Sequence, residues 1–323
     1  MGSKARVAAT VLLVFAVVAG AAGAGGGLPG ARALEICAGA GARWPTMTLA
    51  LRGAYAWIAC KEQARVIRVD TRTGRRTRSV RLGGAVIAVR SGFGSIWALD
   101  SGGTLYRLDP ATGKVVRRGV LGLSAAYNIW IGGGSLWVAD DQAAQVVRVS
   151  PRTAHVIARV RTGDGPAAMA FDGDTGWVLS HRETTLSRID LTTNRSTPLA
   201  RLGHDTPERM VWARGSLWIT GRGTDLLKVD PADGSIDQTI EIGASGIDLA
   251  LDGDKLWIPT RSEAVDQSGF PTMAALKRVS ISSGILSTVG EPTRPIDVHG
   301  LAIAAGAVWI ADNRRGYLYR VAR

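Results

Sequence analysis

Gly134-Ser135-Leu136-Trp137-Val138-Ala139-Asp140 is a short apolar run around one tryptophan, entered from Gly132-Gly133 and left at an acid. Six other segments have the same shape, and the seven tryptophans are Trp57, Trp97, Trp137, Trp177, Trp218, Trp257 and Trp309, with successive separations of 40, 40, 40, 41, 39 and 52. A period near forty residues is the mark of a propeller or solenoid, in which each repeat buries its apolar faces only against its neighbours.

The third repeat parses into four short strands: Tyr127 to Ile131, Ser135 to Ala139, Gln145 to Val149 and His155 to Val160. Alternating Val and Ile between regular turn signals predict an all-β chain. The turn before the fourth strand recurs as Asp70-Thr-Arg-Thr-Gly74, Asp109-Pro-Ala-Thr-Gly113, Ser150-Pro-Arg-Thr-Ala154, Asp190-Leu-Thr-Thr-Asn194, Asp230-Pro-Ala-Asp-Gly234 and Ser280-Ile-Ser-Ser-Gly284. Asp or Ser bonds back to the chain, Pro presets φ, and Gly or Asn tolerates positive φ, so these acids are structural.

A base stands two residues ahead of each turn, at Arg68, Arg107, Arg148, Arg188, Lys228 and Arg278, with Arg320 equivalent in the last repeat. Residues two apart on a strand share a face, so this series forms a solvated or locally ion-paired rung. The long interval after Trp257 holds an insertion, Arg261 to Ala275, between the second and third strands of the sixth repeat. Two readings of it stand: a cover over one end of the central channel, or an insertion tolerated at a loop. The last repeat ends at Arg323 before a fourth strand, and the segment from Ala33 to Ala38 is expected to supply it. The prediction is a seven-bladed β-propeller of four-stranded blades, its ring closed by the N-terminal strand, spanning 34–323 as one domain.

Residues 1–33 read as a secretory signal: Lys4 and Arg6 precede an apolar run from Val7 to Ala19, with cleavage expected after Ala24 or Ala33. The run is too short for a membrane span, so no transmembrane span is expected in the mature chain. Net charge is +12 on 323 residues, and removal of Lys4, Arg6 and Arg32 with the leader still leaves +9. Such a surface favours anionic partners. An exported chain without a clustered basic run is a poor nucleic-acid binder, so a protein, peptide or anionic cell-envelope ligand is the expected partner of a monomer. The two cysteines, Cys37 and Cys60, are expected to pair in that oxidising setting, and their number and spacing do not suit a metal cluster.

The repeat around Gly134 to Asp140, continued by Val146-Val147-Arg148-Val149-Ser150-Pro151-Arg152-Thr153, resembles those of virginiamycin B lyase-like and YVTN-type seven-bladed propellers over roughly Thr46 to Arg323. The resemblance implies a lyase that opens a cyclic depsipeptide by elimination, with a magnesium ion and a His/Glu constellation at one end of the ring. That family commonly has Glu three residues after the blade tryptophan and a Glu-x-His pattern in one blade. Here those positions hold Cys60, Asp100, Asp140, Ser180, Gly221, Thr260 and Asp312, and Glu-x-His is absent, so no catalytic residue, metal or cofactor is carried over. Leu108 to Lys114 is also similar to a quinoprotein repeat, but Val115 to Arg118 follow where that group has a docking tryptophan.

Propeller ligands usually meet the face built from the loops after the second strand and between blades. On this parse it gathers Asp100, Asp140, Asp141, His181, Arg182, His204, Asp205, Glu208, Arg222, Arg261, Glu263, His299 and Asp312. His181, His204 and Asp205, near Asp140 and Asp141, are the one place where metal ligands or an acid/base pair would converge. Trp130 and Trp212 fall in innermost strands, to pack between blades or line the channel, and His155 lies at the opposite end. Gly132-Gly133-Gly134 joins two strands and precedes no helix, which excludes a dinucleotide loop. Repeat architecture without a coherent catalytic set makes an exported binding module the expected function, with a lyase-like or hydrolytic enzyme on the face of blades three to five as the alternative.

Overall fold

A computed structural model describes residue 28 and residues 30–37, 48–203, 206–265, 271–293, 295–304, 306–313 and 315–323; the side chains of 263–265, 271 and 299 lie outside that description. The segment read as a secretory signal falls almost entirely outside it.

The described residues form seven four-stranded antiparallel sheets and no helix. Six blades are consecutive in sequence. The seventh takes its outermost strand from the N-terminus: Arg32–Glu35 pairs with Tyr317–Ala322, Ala33 opposite Tyr319. The ring closes through the expected N-terminal segment: the closing strand, Arg32–Glu35, overlaps it from Ala33 to Glu35 and begins one residue earlier.

In every blade the tryptophan lies in the second strand, between the inner and third strands, and is buried. Its register partner on the third strand is the base of the recurrent series, as in Trp137 opposite Arg148. These bases are not simple solvated rungs. Five guanidinium groups lie 5.3 to 6.0 Å from the ring of their own tryptophan: Arg68, Arg107, Arg148, Arg278 and Arg320. Three reach the outer turn of the next blade. Arg68 donates to the carbonyls of Pro110 and Ala111 at 2.8 and 2.9 Å, Arg107 to that of Pro151 at 3.5 Å, and Arg148 to those of Leu191 and the Asn194 side chain at 2.5 and 2.8 Å. In blade four, Trp177 does this itself, donating from its indole to the Pro231 carbonyl at 2.9 Å. Each of the three arginine contacts combines a cation on an aromatic face with a charge-assisted hydrogen bond, and together with the Trp177 bond they join neighbouring sheets at their rims.

The outer turns have the expected conformation. Gly74, Gly113, Gly234 and Gly284 have positive φ, as do Asn194 and Ala154, where no glycine is present. Gly119 is required for a different reason. A Cβ there would lie 2.0 Å from the Ala154 carbonyl oxygen of the next blade's turn.

The sixth-blade insertion is not a plain loop. It lengthens two strands, Lys255–Val265 and Pro271–Ser280, into a hairpin paired as far as Val265 opposite Pro271; its tip, 266–270, is outside the described residues.

Candidate functional site

In every blade but the sixth, where the strand runs on to Val265, the second strand ends on the loop face at the position three residues after the tryptophan. Cys60, Asp100, Asp140, Ser180, Thr260 and Asp312 are all buried there. Asp140 accepts the backbone N–H groups of Ser124 and Ala125, both at 2.9 Å, from the chain entering its blade, while its other oxygen accepts from Gln145. Asp100 accepts from the Thr104 N–H at 2.8 Å and the Tyr106 hydroxyl at 2.9 Å. Burial and then Asp100 raise the Tyr106 pKa. Asp312 accepts from the N–H groups of Asp297 and Arg315, but burial outweighs them and pushes its carboxyl up to about 6. In blade one the position is Cys60, joined by a disulfide to Cys37 just beyond the closing strand. These side chains fasten the loops beneath the face.

Asp141 and Arg182 do lie on the face, but they are engaged with each other. Arg182 forms ion pairs with Asp141 of the preceding blade and, at 2.9 Å, with Asp164 of the intervening loop. The Asp141 hydrogen bond is the main cause of the raised Arg182 pKa. His181 packs over Gly165, where an added Cβ would lie 2.8 Å from the imidazole. His204 and Asp205 lie outside the described residues, as do the side chains of Glu263 and His299, so the expected His181–His204 convergence falls beyond the described geometry. His155 is exposed on the opposite turn.

Arg222, Arg261 and Glu208 line the central cavity of about 950 Å³. Deeper in it are residues that the sequence reading did not single out: Arg90, Asn128 and Arg209 of innermost strands, and Asp248 just ahead of that of blade six. Arg90 donates to the Asn128 side-chain oxygen at 2.9 Å, and Arg209 faces Asp248 at 3.6 Å. The other Asp248 oxygen accepts the Leu301 N–H at 3.0 Å, across to blade seven. At the mouth, Arg222 donates to Glu208 at 2.8 Å.

This belt lies deep within the ring yet is wetted by the cavity, since Arg209 and Asp248 remain 22% and 23% exposed. Burial lowers the Arg90 pKa, with Asp248 opposing. Burial also works against charge on Arg209, but Tyr127, Asp248 and Glu208 outweigh it and raise its pKa. Burial would raise the Glu208 pKa, but the Arg222 hydrogen bond and the charges of Arg209, Arg222 and Arg261 hold it below its ordinary value. Four guanidinium groups therefore share one cavity with two carboxylates.

Toward the opposite mouth the lining becomes apolar, with Leu51, Ile131, Phe171, Trp212, Leu251 and Ile303. Trp212 both lines the cavity and stacks on Trp177, ring centroids 4.9 Å apart; Trp130 lines the cavity as well. A charge in an otherwise apolar first strand, as in Val86 to Gly92, was the available signal for the belt.

The magnesium ion implied by the resemblance does not fit these donors. Among the described residues no group of three His, Cys, Asp or Glu side chains is placed to hold a metal. The acids after the tryptophans are committed to loops, and the cavity carboxylates face arginines, which disfavour a further cation.

The described fold and cavity define a seven-bladed propeller with a cationic central site on its loop face. Its architecture is similar to that of virginiamycin B lyase from Staphylococcus aureus, solved as the selenomethionine protein, at a TM-score of 0.74 and 15% identity over 91% of this chain and 99% of that one. A catalytically inactive histidine variant of the same enzyme, with quinupristin, matches at a TM-score of 0.71 and 14% identity with the same coverage. This likeness is one of fold. No family model matches the chain, and no curated protein matches it.

Proposed function

We propose that the chain is a binding propeller whose loop-face cavity receives an anionic segment of a peptide or protein. The observation that carries this reading is the arginine excess in one cavity, Arg90, Arg209, Arg222 and Arg261 against Glu208 and Asp248. Arg222 at the mouth is open to solvent, its side chain 65% exposed, with donors left beyond its single bond to Glu208. The planar guanidinium fork suits carboxylates and phosphates. Titration with matched peptides ending in a carboxylate or an amide tests the reading. The acid form should bind about tenfold or more tightly, and Arg222→Gln should remove that preference. Equal binding of both forms would sink it.

The likeness to virginiamycin B lyase supports a second reading, lyase chemistry on a cyclic peptide such as quinupristin. Incubation with quinupristin followed by mass and retention analysis decides between them. A linear product that is lost in His181→Ala, His204→Ala or His299→Ala favours the enzyme.

We also place the protein outside the cytoplasm, a reading supported by the leader pattern in residues 1–24 and by the Cys37–Cys60 disulfide. Cleavage after Ala24 is the better of the two sites. It keeps the closing strand whole and retains Leu28, which packs with Ile296, Val308 and Tyr319, whereas cleavage after Ala33 would divide that strand.

A further inference from the structure

The outermost strands of blades one to four form one continuous arc of the ring wall. They carry Arg76, Arg78, Arg81, Arg117, Arg118, Arg159, Arg161, Arg195 and Arg201 and no acid. All nine are exposed, and none forms an ion pair among the described residues. The wall then reverses sign. Blade five's outer strand, Ile236–Glu241, has Asp237 and Glu241 and no base, and that of blade six, Leu286–Gly290, has no charge.

Outer strands are sheet edges, and charge on an edge prevents edge-to-edge pairing. That need is indifferent to sign, as blade five illustrates. A single sign over four adjacent blades requires a different account. Nine unpaired cations on one arc raise the local potential and concentrate an anionic partner. The shape of the arc selects among such partners. A flat bilayer touches a convex wall along one or two blades, whereas a flexible polymer can follow all four.

We propose that this arc is a docking surface for a flexible, linear phosphate polymer that wraps the wall of blades one to four. It is separate from the central cavity, and Arg222 takes no part in it. Its Arg78, Arg118, Arg161 and Arg201, one per blade, have no hydrogen-bond partner among the described residues, so their donors are free for phosphate oxygens.

The test is a titration of the full chain with inorganic polyphosphate of about a hundred units, with tripolyphosphate and phosphatidylglycerol vesicles as the other arms. Long polyphosphate should bind at least about tenfold more tightly per phosphate than tripolyphosphate, because neighbouring blades engage one molecule. Its affinity should fall roughly a thousandfold from about 50 mM to about 200 mM salt, as counterions compete for the phosphates. The combined variant Arg78→Gln, Arg118→Gln, Arg161→Gln and Arg201→Gln should lose most of the affinity while Lys255→Gln, at an exposed base of blade six outside both the arc and the cavity lining, keeps it. A gain-of-function arm protects the test from a folding defect: Asp237→Lys with Glu241→Lys extends the arc and should tighten binding of long chains only. The proposal is overturned if tripolyphosphate binds as tightly per phosphate as the long chain, if the fourfold variant binds unchanged, or if vesicles bind and polyphosphate does not.

Discussion

The joint that admits the chain into blade three and the joint that closes the ring do the same work with different chemistry. Into blade three, the Asp140 carboxylate holds the N–H groups of Ser124 and Ala125, and at the rim Arg107 of blade two reaches the Pro151 carbonyl of blade three at 3.5 Å. At closure, Cys60 occupies the position of Asp140 and is bonded covalently to Cys37. The rim there is held by Arg32 donating to the Thr73 carbonyl at 3.3 Å and Arg76 to that of Glu35 at 3.0 Å. Both joints tie residues near in sequence, 16 and 15 apart at Asp140 and 23 apart at the disulfide. The two ends of the chain meet through the pairing of Arg32–Glu35 with the last strand, and the disulfide adds a covalent anchor of that closing strand to blade one, which lowers the entropy of the unfolded chain.

The largest test of this contrast is removal of the bond. Cys37→Ser with Cys60→Ser, or reduction of the wild type, should cost about 3 kcal/mol for a loop of this size, closed between cysteines 23 residues apart. Urea unfolding with and without reductant measures it. If stability is unchanged, the four-residue closing strand holds the ring by itself. Next in size is Asp140→Ala, which leaves two loop N–H groups and the Gln145 amide without their acceptor and should cost about 2 kcal/mol.

The third joint, at Asp312, adds a dependence on pH. Burial raises this carboxyl to about 6 from an ordinary value of 3.8. The folded state therefore holds the proton more tightly than the unfolded chain. Its contribution to stability is complete below about pH 4 and declines as pH rises to about 6, by on the order of 1 to 2 kcal/mol. Asp312→Asn should flatten the stability profile between those values. Unfolding curves at pH 4, 5, 6 and 7 decide it, and an unchanged slope in the variant would assign the dependence to another group.

The sequence made the ring legible because one bulky residue per blade recurs in a fixed strand, and the seventh blade takes its fourth strand from Arg32–Glu35. The site was less legible for a geometric reason. Period two tells which residues share a face, but not whether a strand end turns outward or inward. Asp100, Asp140 and Asp312 were therefore placed among ligand-face residues, although they are buried under the loops. Arg90, Arg209 and Asp248 converge from blades two, five and six. Their meeting depends on ring closure, which no local pattern reports. The third-strand bases were recognised as one face, but their destination, the next blade's turn, is likewise a contact between repeats.

The smallest effect separates two members of that series. Arg148 stacks 5.3 Å from the Trp137 ring and also donates to blade four. Arg188 has the same register opposite Trp177, yet it is exposed, and the Trp177 indole makes the inter-blade bond in its place. Arg148→Met keeps the aliphatic stem but loses the cation and its donors, and should cost about 1 kcal/mol. Arg188→Met should cost less than about 0.5 kcal/mol, the usual scale for an exposed substitution. The same pair of unfolding curves measures both. Equal costs would mean that the arginines stabilise the rim through their stems, and the cross-blade hydrogen bonds would then be incidental to the strength of the ring.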